Sequence, residues 1–257
     1  NVLSSVGLVR HRRRPHLAAE ISRPQQLARL GVEREKMPPA IAGEEPVGSM
    51  GVDAALPILT EKPQPLFRYF KQQFAQVTNP PVDAIREELV MELTTYIGPE
   101  GNLLDETPEH AHRLELEHPV LTNNDLEKIR NITRDGFNAV TINILFDPNV
   151  KHGMRNRLDL VCDEAADAVR KGANLIILSD RGVANNLAAI PSLLAVAAVH
   201  HFLIRAGLRT KTGIIIESAE PREISHFALL VGYGANAINP YLAFETLADI
   251  LKEGLVP

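Results

Sequence analysis

The chain has 257 residues, one cysteine, no tryptophan and a formal net charge of −5 at pH 7. Hydrophobic residues make up 45% and charged residues 23%, the balance of an average globular domain, which excludes a disordered tail, a collagen-like fibre and a disulfide scaffold. No apolar run approaches the length of a membrane span, and the lone Cys162 can form neither an internal disulfide nor a zinc site.

In chain order, residues 1–40 come first, a basic N-terminal segment. They hold eight Lys/Arg against three Asp/Glu, whereas the rest of the chain holds 19 against 29. The cluster at 10–14 (RHRRR) reads as a solvated arm or a contact for an acidic partner. Aromatic residues are only 5%, and no helix-turn-helix pattern accompanies the cluster, which argues against nucleic acid. The chain opens on Asn1 with no signal-peptide pattern, and it stops just after a helical stretch; a piece of a longer polypeptide is therefore expected.

Residues 41–116 read as a wrap. Eleven of the 18 prolines fall between 37 and 120, removing backbone donors and biasing their predecessors toward extended chain. Two short helices are predicted here, at 66–76 and 84–94. The second has Asp83 as its N-cap and Glu87 and Glu88 in its first turns.

From 117 to 257 strand and helix signals alternate. Strands are predicted at 118–122, 139–146, 174–179, 213–217 and 235–239. Helices are predicted at 124–132 with Asn123 as cap, 158–171, 191–206, 222–231 and 241–252. Five strand–helix units imply an α/β fold with right-handed crossovers and a parallel sheet, either doubly wound or resembling a partial or degenerate (β/α)8 barrel. Residues 41–257 then form one domain.

In either architecture chemistry belongs beyond the carboxyl ends of the strands. Asp180, Arg181, Glu217, Glu220 and Asn239 fall there, with Thr122, Asn123, Asp147, Ser179 and Ser218 beside them. Two readings stay open: an active site using the carboxylates as general acid and base, or a hydrogen-bonded rim in which Arg181 pairs with Glu217. His200 and His201 lie inside an apolar helix, and the run from Glu109 to His112 matches no metal-binding spacing. Cys162 sits at a helix interior position suited to a buried thiol. No phosphate-binding glycine loop follows any strand.

Longer segments carry a more specific signal. They are GEEPVGSMG at 43–51, YFKQQFAQVTNPPVDAIRE at 69–87, IGPEGN at 97–102, AIPSLLAVAAVHH at 189–201, ESAEPRE at 217–223 and YGANAINPYLAFE at 233–245. From about residue 25 onward the chain resembles the central domain of the glutamate synthase large (alpha) chain; residues 1–24 match poorly. The resemblance implies a cytoplasmic enzyme of ammonia assimilation that makes L-glutamate from L-glutamine and 2-oxoglutarate. It implies that this segment is a non-catalytic link between the glutaminase and FMN-binding domains of the same chain, helping to line an ammonia tunnel. FMN and an iron–sulfur cluster would belong to those other domains, since one cysteine cannot ligate a cluster. The tunnel candidates are two stretches of small or weakly polar residues, Gly48, Ser49, Met50 and Gly51, and Thr78, Asn79 and Pro80. The alternative is a free-standing (β/α) barrel enzyme, flavin-binding or not, with its site at the strand ends.

Overall fold

The computed structural model describes residues 65–254, apart from 71–76, 78, 79, 103 and 135. The basic segment at 1–40, most of the predicted 66–76 helix, Gly48, Ser49, Met50, Gly51, Thr78 and Asn79 lie outside the described residues.

Six α-helices and eight strands occur among the described residues. The helices are α1 (Ala84–Val90), α2 (Asn123–Arg130), α3 (Gly153–Arg170), α4 (Ser192–Arg205), α5 (Ile224–Gly232) and α6 (Tyr241–Lys252). The strands are β1 (Thr95–Ile97), β2 (Leu114–Leu116), β3 (Ala139–Asn143), β4 (Leu145–Phe146), β5 (Leu175–Ser179), β6 (Ala188–Ala189), β7 (Gly213–Glu217) and β8 (Ala237–Asn239).

The centre is a parallel sheet of order β3-β5-β7-β8. All ten residues of β5 and β7 are buried, and such strands must be apolar on both faces. Alternation sends their side chains to two cores. Ile176, Leu178, Ile214 and Ile216 meet α3, α4 and α5 on one face. Leu175, Ile177, Ile215 and Ala237 meet Ile97, Leu126 and Ile129 on the other. The three crossover helices thus share one face, while α2 and the antiparallel β1–β2 hairpin cover the opposite one. Residues 119–121 lie parallel beyond β8: the N–H of Leu121 donates to Ile238 O, and that of Ile238 to Pro119 O. Among the described residues no strand pairing joins β3 to 119–121.

Each crossover helix ends in the same device. After α3, α4 and α5 a glycine at positive φ (Gly172, Gly207 and Gly234) turns the chain. The next N–H then reaches back five residues: Ala173 to Ala168 O, Leu208 to Leu203 O and Ala235 to Leu230 O. The buried Ala173, Leu208 and Ala235 then lead toward the following strand.

The structure corrects several boundaries. The N-cap of α2 is Thr122, whose Oγ1 accepts from the Asp125 N–H at 3.1 Å and donates to the Asp125 carboxylate at 2.6 Å; Asn123 is already helical. The strand expected at 139–146 breaks at Asn143, whose Oδ1 accepts from the Leu145 N–H at 2.6 Å. The remainder, β4, pairs antiparallel with β6 instead. Helix α3 begins at Gly153, five residues before the first apolar position of its stripe. A 3-10 turn, Leu66–Tyr69, is the described part of the first predicted helix. The hairpin of β1 and β2 had no counterpart among the predicted elements, each strand being only three residues long.

Candidate functional site

Three strand ends stand side by side, with Ser179 beside Glu217 and Glu217 beside Asn239 in the parallel register. This adjacency gathers the sequence-predicted polar residues at the carboxyl edge of the sheet.

Glu217 is the hub. It is 1% exposed and accepts from Ser179 Oγ at 2.6 Å, Arg130 Nη2 at 2.6 Å and Arg181 Nε at 2.5 Å. A buried carboxylate is tolerable when charged partners and hydrogen bonds fill its lone pairs. Arg130 comes from the end of α2, where it also pairs with Glu127. Arg181 lies 4.0 Å over the Tyr241 ring and reaches Glu245 of α6 at 3.4 Å. Burial disfavours the Arg181 charge, but the Glu217 and Glu245 carboxylates outweigh it and raise its pKa. The half-exposed Glu245 carboxyl is also raised, by partial desolvation with Arg181 opposing.

Asp180 turns to the next loop. Its carboxylate accepts from Ser218 Oγ at 2.6 Å and from the Ala219 N–H at 3.0 Å, and it shares a hydrogen bond with the Tyr241 hydroxyl. Burial pushes its pKa up to about 6, against these hydrogen bonds. Burial and the neighbouring Asp180 also raise that of Tyr241. Glu220 accepts from both the N–H (2.7 Å) and the hydroxyl (2.6 Å) of Ser192, placing a negative charge at the amino end of α4. Asn239, fully buried, donates to Leu121 O and Asn123 Oδ1, both at 2.9 Å, tying β8 to the start of α2.

The five strand-end residues thus converge and, the partnerless Asn239 Oδ1 apart, bond to one another, to neighbouring loops and to helix ends. Asp180 is 2% and Glu217 1% exposed, so both carboxylates lie beneath the surface of the cluster. The arrangement fastens α2, α4 and α6 to the sheet. Arg130, Tyr241 and Glu245 belong to the cluster and were not among the predicted residues. Arg130 contacts a residue 87 positions away, and its only local signal is that of a cation in a last helical turn.

A second network holds the amino edge. Arg209 donates to His200 Nδ1 (2.9 Å), Thr212 O (2.7 Å), Gly234 O (3.0 Å) and Asn236 Oδ1 (3.0 Å). His200 is therefore a hydrogen-bond partner, and burial lowers its pKa, with the Arg209 charge adding to the effect. His201 is exposed. An open depression of about 340 Å³ lies at this edge, lined by residues that include Leu93, Pro119, Arg209, Val231 and Ala235.

Among the described residues no three His, Cys, Asp or Glu side chains converge as metal ligands. Cys162 is buried, and burial pushes its thiol up to about 11. Of the tunnel candidates only Pro80 is described; it is exposed and its carbonyl accepts from the Val82 N–H at 2.7 Å, just ahead of α1. No described helix is long and apolar enough to cross a membrane.

Comparison with known proteins adds what geometry cannot. The family model for the glutamate synthase central domain matches residues 28–257. The chain is 45% identical over 223 residues to the glutamate synthase (NADPH) large chain of Bacillus subtilis, covering 87% of this chain and 14% of that protein. It is 42% identical over 222 residues to the glutamate synthase (NADH) of Saccharomyces cerevisiae, covering 85% of this chain and 10% of that one. With the ferredoxin-dependent glutamate synthase 2 of a Synechocystis strain it shares 42% over 232 residues, covering 87% and 15%. The chain thus spans between 10% and 15% of the length of these relatives.

Proposed function

The chain belongs to the glutamate synthase central-domain family, and on that footing we propose that it is the non-catalytic linking domain of an enzyme that makes L-glutamate from L-glutamine and 2-oxoglutarate. The observation that carries the non-catalytic part is the strand-end cluster. Two of its carboxylates, Asp180 and Glu217, are buried and bound by Ser218, Arg130 and Arg181, and Glu220 is held by Ser192. Such a rim gives the sheet a rigid edge and commits Asp180 and Glu217 to structural partners. FMN and the iron–sulfur cluster reside, in this reading, in other domains of the parent polypeptide. The single cysteine is consistent with that division. The one-sided winding of β3, β5, β7 and β8 fits a barrel relative that has stopped short of closure.

Its second task is to line the route by which ammonia passes from the glutaminase to the synthase centre. Such a route wants small, weakly polar walls, because a fixed carboxylate would hold ammonium. Gly48, Ser49, Met50 and Gly51, with Thr78, Asn79 and Pro80, have that chemistry. In the parent enzyme, Asn79→Trp should leave glutamine hydrolysis near its normal rate and lower glutamate formed per glutamine hydrolysed several-fold. An unchanged ratio of the two products would remove the tunnel role from this stretch.

A further inference from the structure

Helix α1 buries none of its seven side chains. Ile85 is 84% exposed and Leu89 79%, and four-residue spacing puts them on one face. Val82, Val90, Met91 and Leu93 extend the exposed apolar surface on either side. Single exposed apolar residues need no explanation, but six of them within residues 82–93, two on one helix face, mark a contact surface. Leu93 also lines the depression of about 340 Å³, where Val231 and Ala235 add apolar wall and Arg209 a cation. Helix face and depression therefore adjoin through one residue.

We infer that the apolar face of α1, with the depression beyond Leu93, is a docking face for another domain of the same polypeptide. The relatives carry at least 85% of their length outside the matched segment, so neighbouring domains are at hand and need no separate partner. Charge decides between a neighbouring domain and a second copy. Around α1 stand Asp83, Glu87, Glu88 and Glu92 against a single Arg86. A two-fold contact would set these acids against themselves, whereas an apolar surface with a basic rim would meet both the Ile85–Leu89 face and the acids. A protruding side chain of the occupant would fill the depression as an anchor. The inference rests on the linking role proposed above and names the surface through which one link is made.

Amide hydrogen exchange on the parent polypeptide tests it. A seven-residue helix exposed all round should exchange quickly, while a docked one is protected. Residues 84–93 are expected to exchange at least about ten-fold more slowly than an unprotected helix of this length. The double variant Ile85→Asp/Leu89→Asp should restore fast exchange there and leave β5 and β7 protected. Fast exchange at 84–93 in the unaltered parent overturns the inference. So does protection that persists in the 257-residue chain alone, with β5 and β7 as the folded reference. In that case the cover would come from within the chain, or from a second copy that sedimentation would reveal. The proposed function is read separately, the tunnel role in the glutamate-to-hydrolysis ratio of Asn79→Trp and the non-catalytic role in the absence of visible colour from the purified 257-residue chain, so either idea can fail without the other.

Discussion

Asp180 and Glu217 show how two acids on adjacent strand ends acquire opposite situations. Glu217 faces two guanidinium groups, whereas Asp180 meets hydroxyls, an N–H and the nearby Glu220 charge. With no cation to offset burial, Asp180 has a folded pKa of about 6, above an ordinary carboxyl value of 3.8. The folded state therefore holds its proton more tightly than the unfolded chain does. The stabilisation from that proton is complete below the unfolded value and disappears as pH rises through about 6. Two pKa units correspond to a contribution on the order of 3 kcal/mol. Asp180→Asn, which keeps a carbonyl acceptor for the Ala219 N–H, should remove this dependence. Denaturant unfolding at several pH values between 4 and 7 should show stability falling with pH in the unaltered chain relative to the variant. Parallel curves would mean that Asp180 is already ionised in the fold.

The strand–helix units are where sequence and structure agree best, and the reason is periodicity. The stripe of Val161, Cys162, Ala165, Ala166 and Val169 and the unbroken apolar run of β5 are local signals, and each survives as an element. What escaped was non-local. The three-residue strands of the hairpin acquire their identity from pairing with each other and from Ile97 closing the second core. The site divides in the same way. Asp180, Arg181, Glu217, Glu220 and Asn239 were visible as strand-end polar residues, but whether they are free or spent depends on Arg130 and Tyr241, which only the fold delivers. The helix-closing glycines give a prediction at this scale. A Cβ on Gly234, at φ +111°, would sit 2.2 Å from His200 Nδ1, and Arg209 holds that ring in place. A Cβ on Gly172, at φ +97°, would meet nothing within 4 Å. Gly172→Ala should cost about 1 kcal/mol of backbone strain. Gly234→Ala should cost about 3 kcal/mol, strain and clash together. Thermal unfolding of the pair measures the difference, and equal losses would show that His200 yields freely.

At the scale of the whole molecule, the two cores and the polar edges divide the work. The β3–β5–β7–β8 sheet with its helices supplies rigidity, and both of its ends are closed by hydrogen-bond networks centred on Glu217 and Arg209. Such a body suits a spacer that must hold neighbours at fixed distance. If FMN and the iron–sulfur cluster sit in other domains, as proposed, the purified 257-residue chain is expected to be colourless, with no visible absorbance. A yellow preparation whose colour survives desalting would place flavin on this chain and reverse that division.

The position of residues 119–121 beyond β8 has a consequence in time. Asn239 bonds to Leu121 across 118 positions, so the segment synthesised early waits for a partner made near the end. At roughly 5–20 residues per second that interval is roughly 6–24 s on the ribosome. Throughout it, Leu126 and Ile129 of α2 lack part of their final apolar cover, and Arg130 lacks Glu217 until β7 emerges. The β3–β5 pair can assemble during this wait, whereas the second core closes only when β8 arrives. Vectorial synthesis thus imposes an order of assembly, and truncation before residue 237 should leave a nascent chain whose α2 lacks the Asn239 tie at its start.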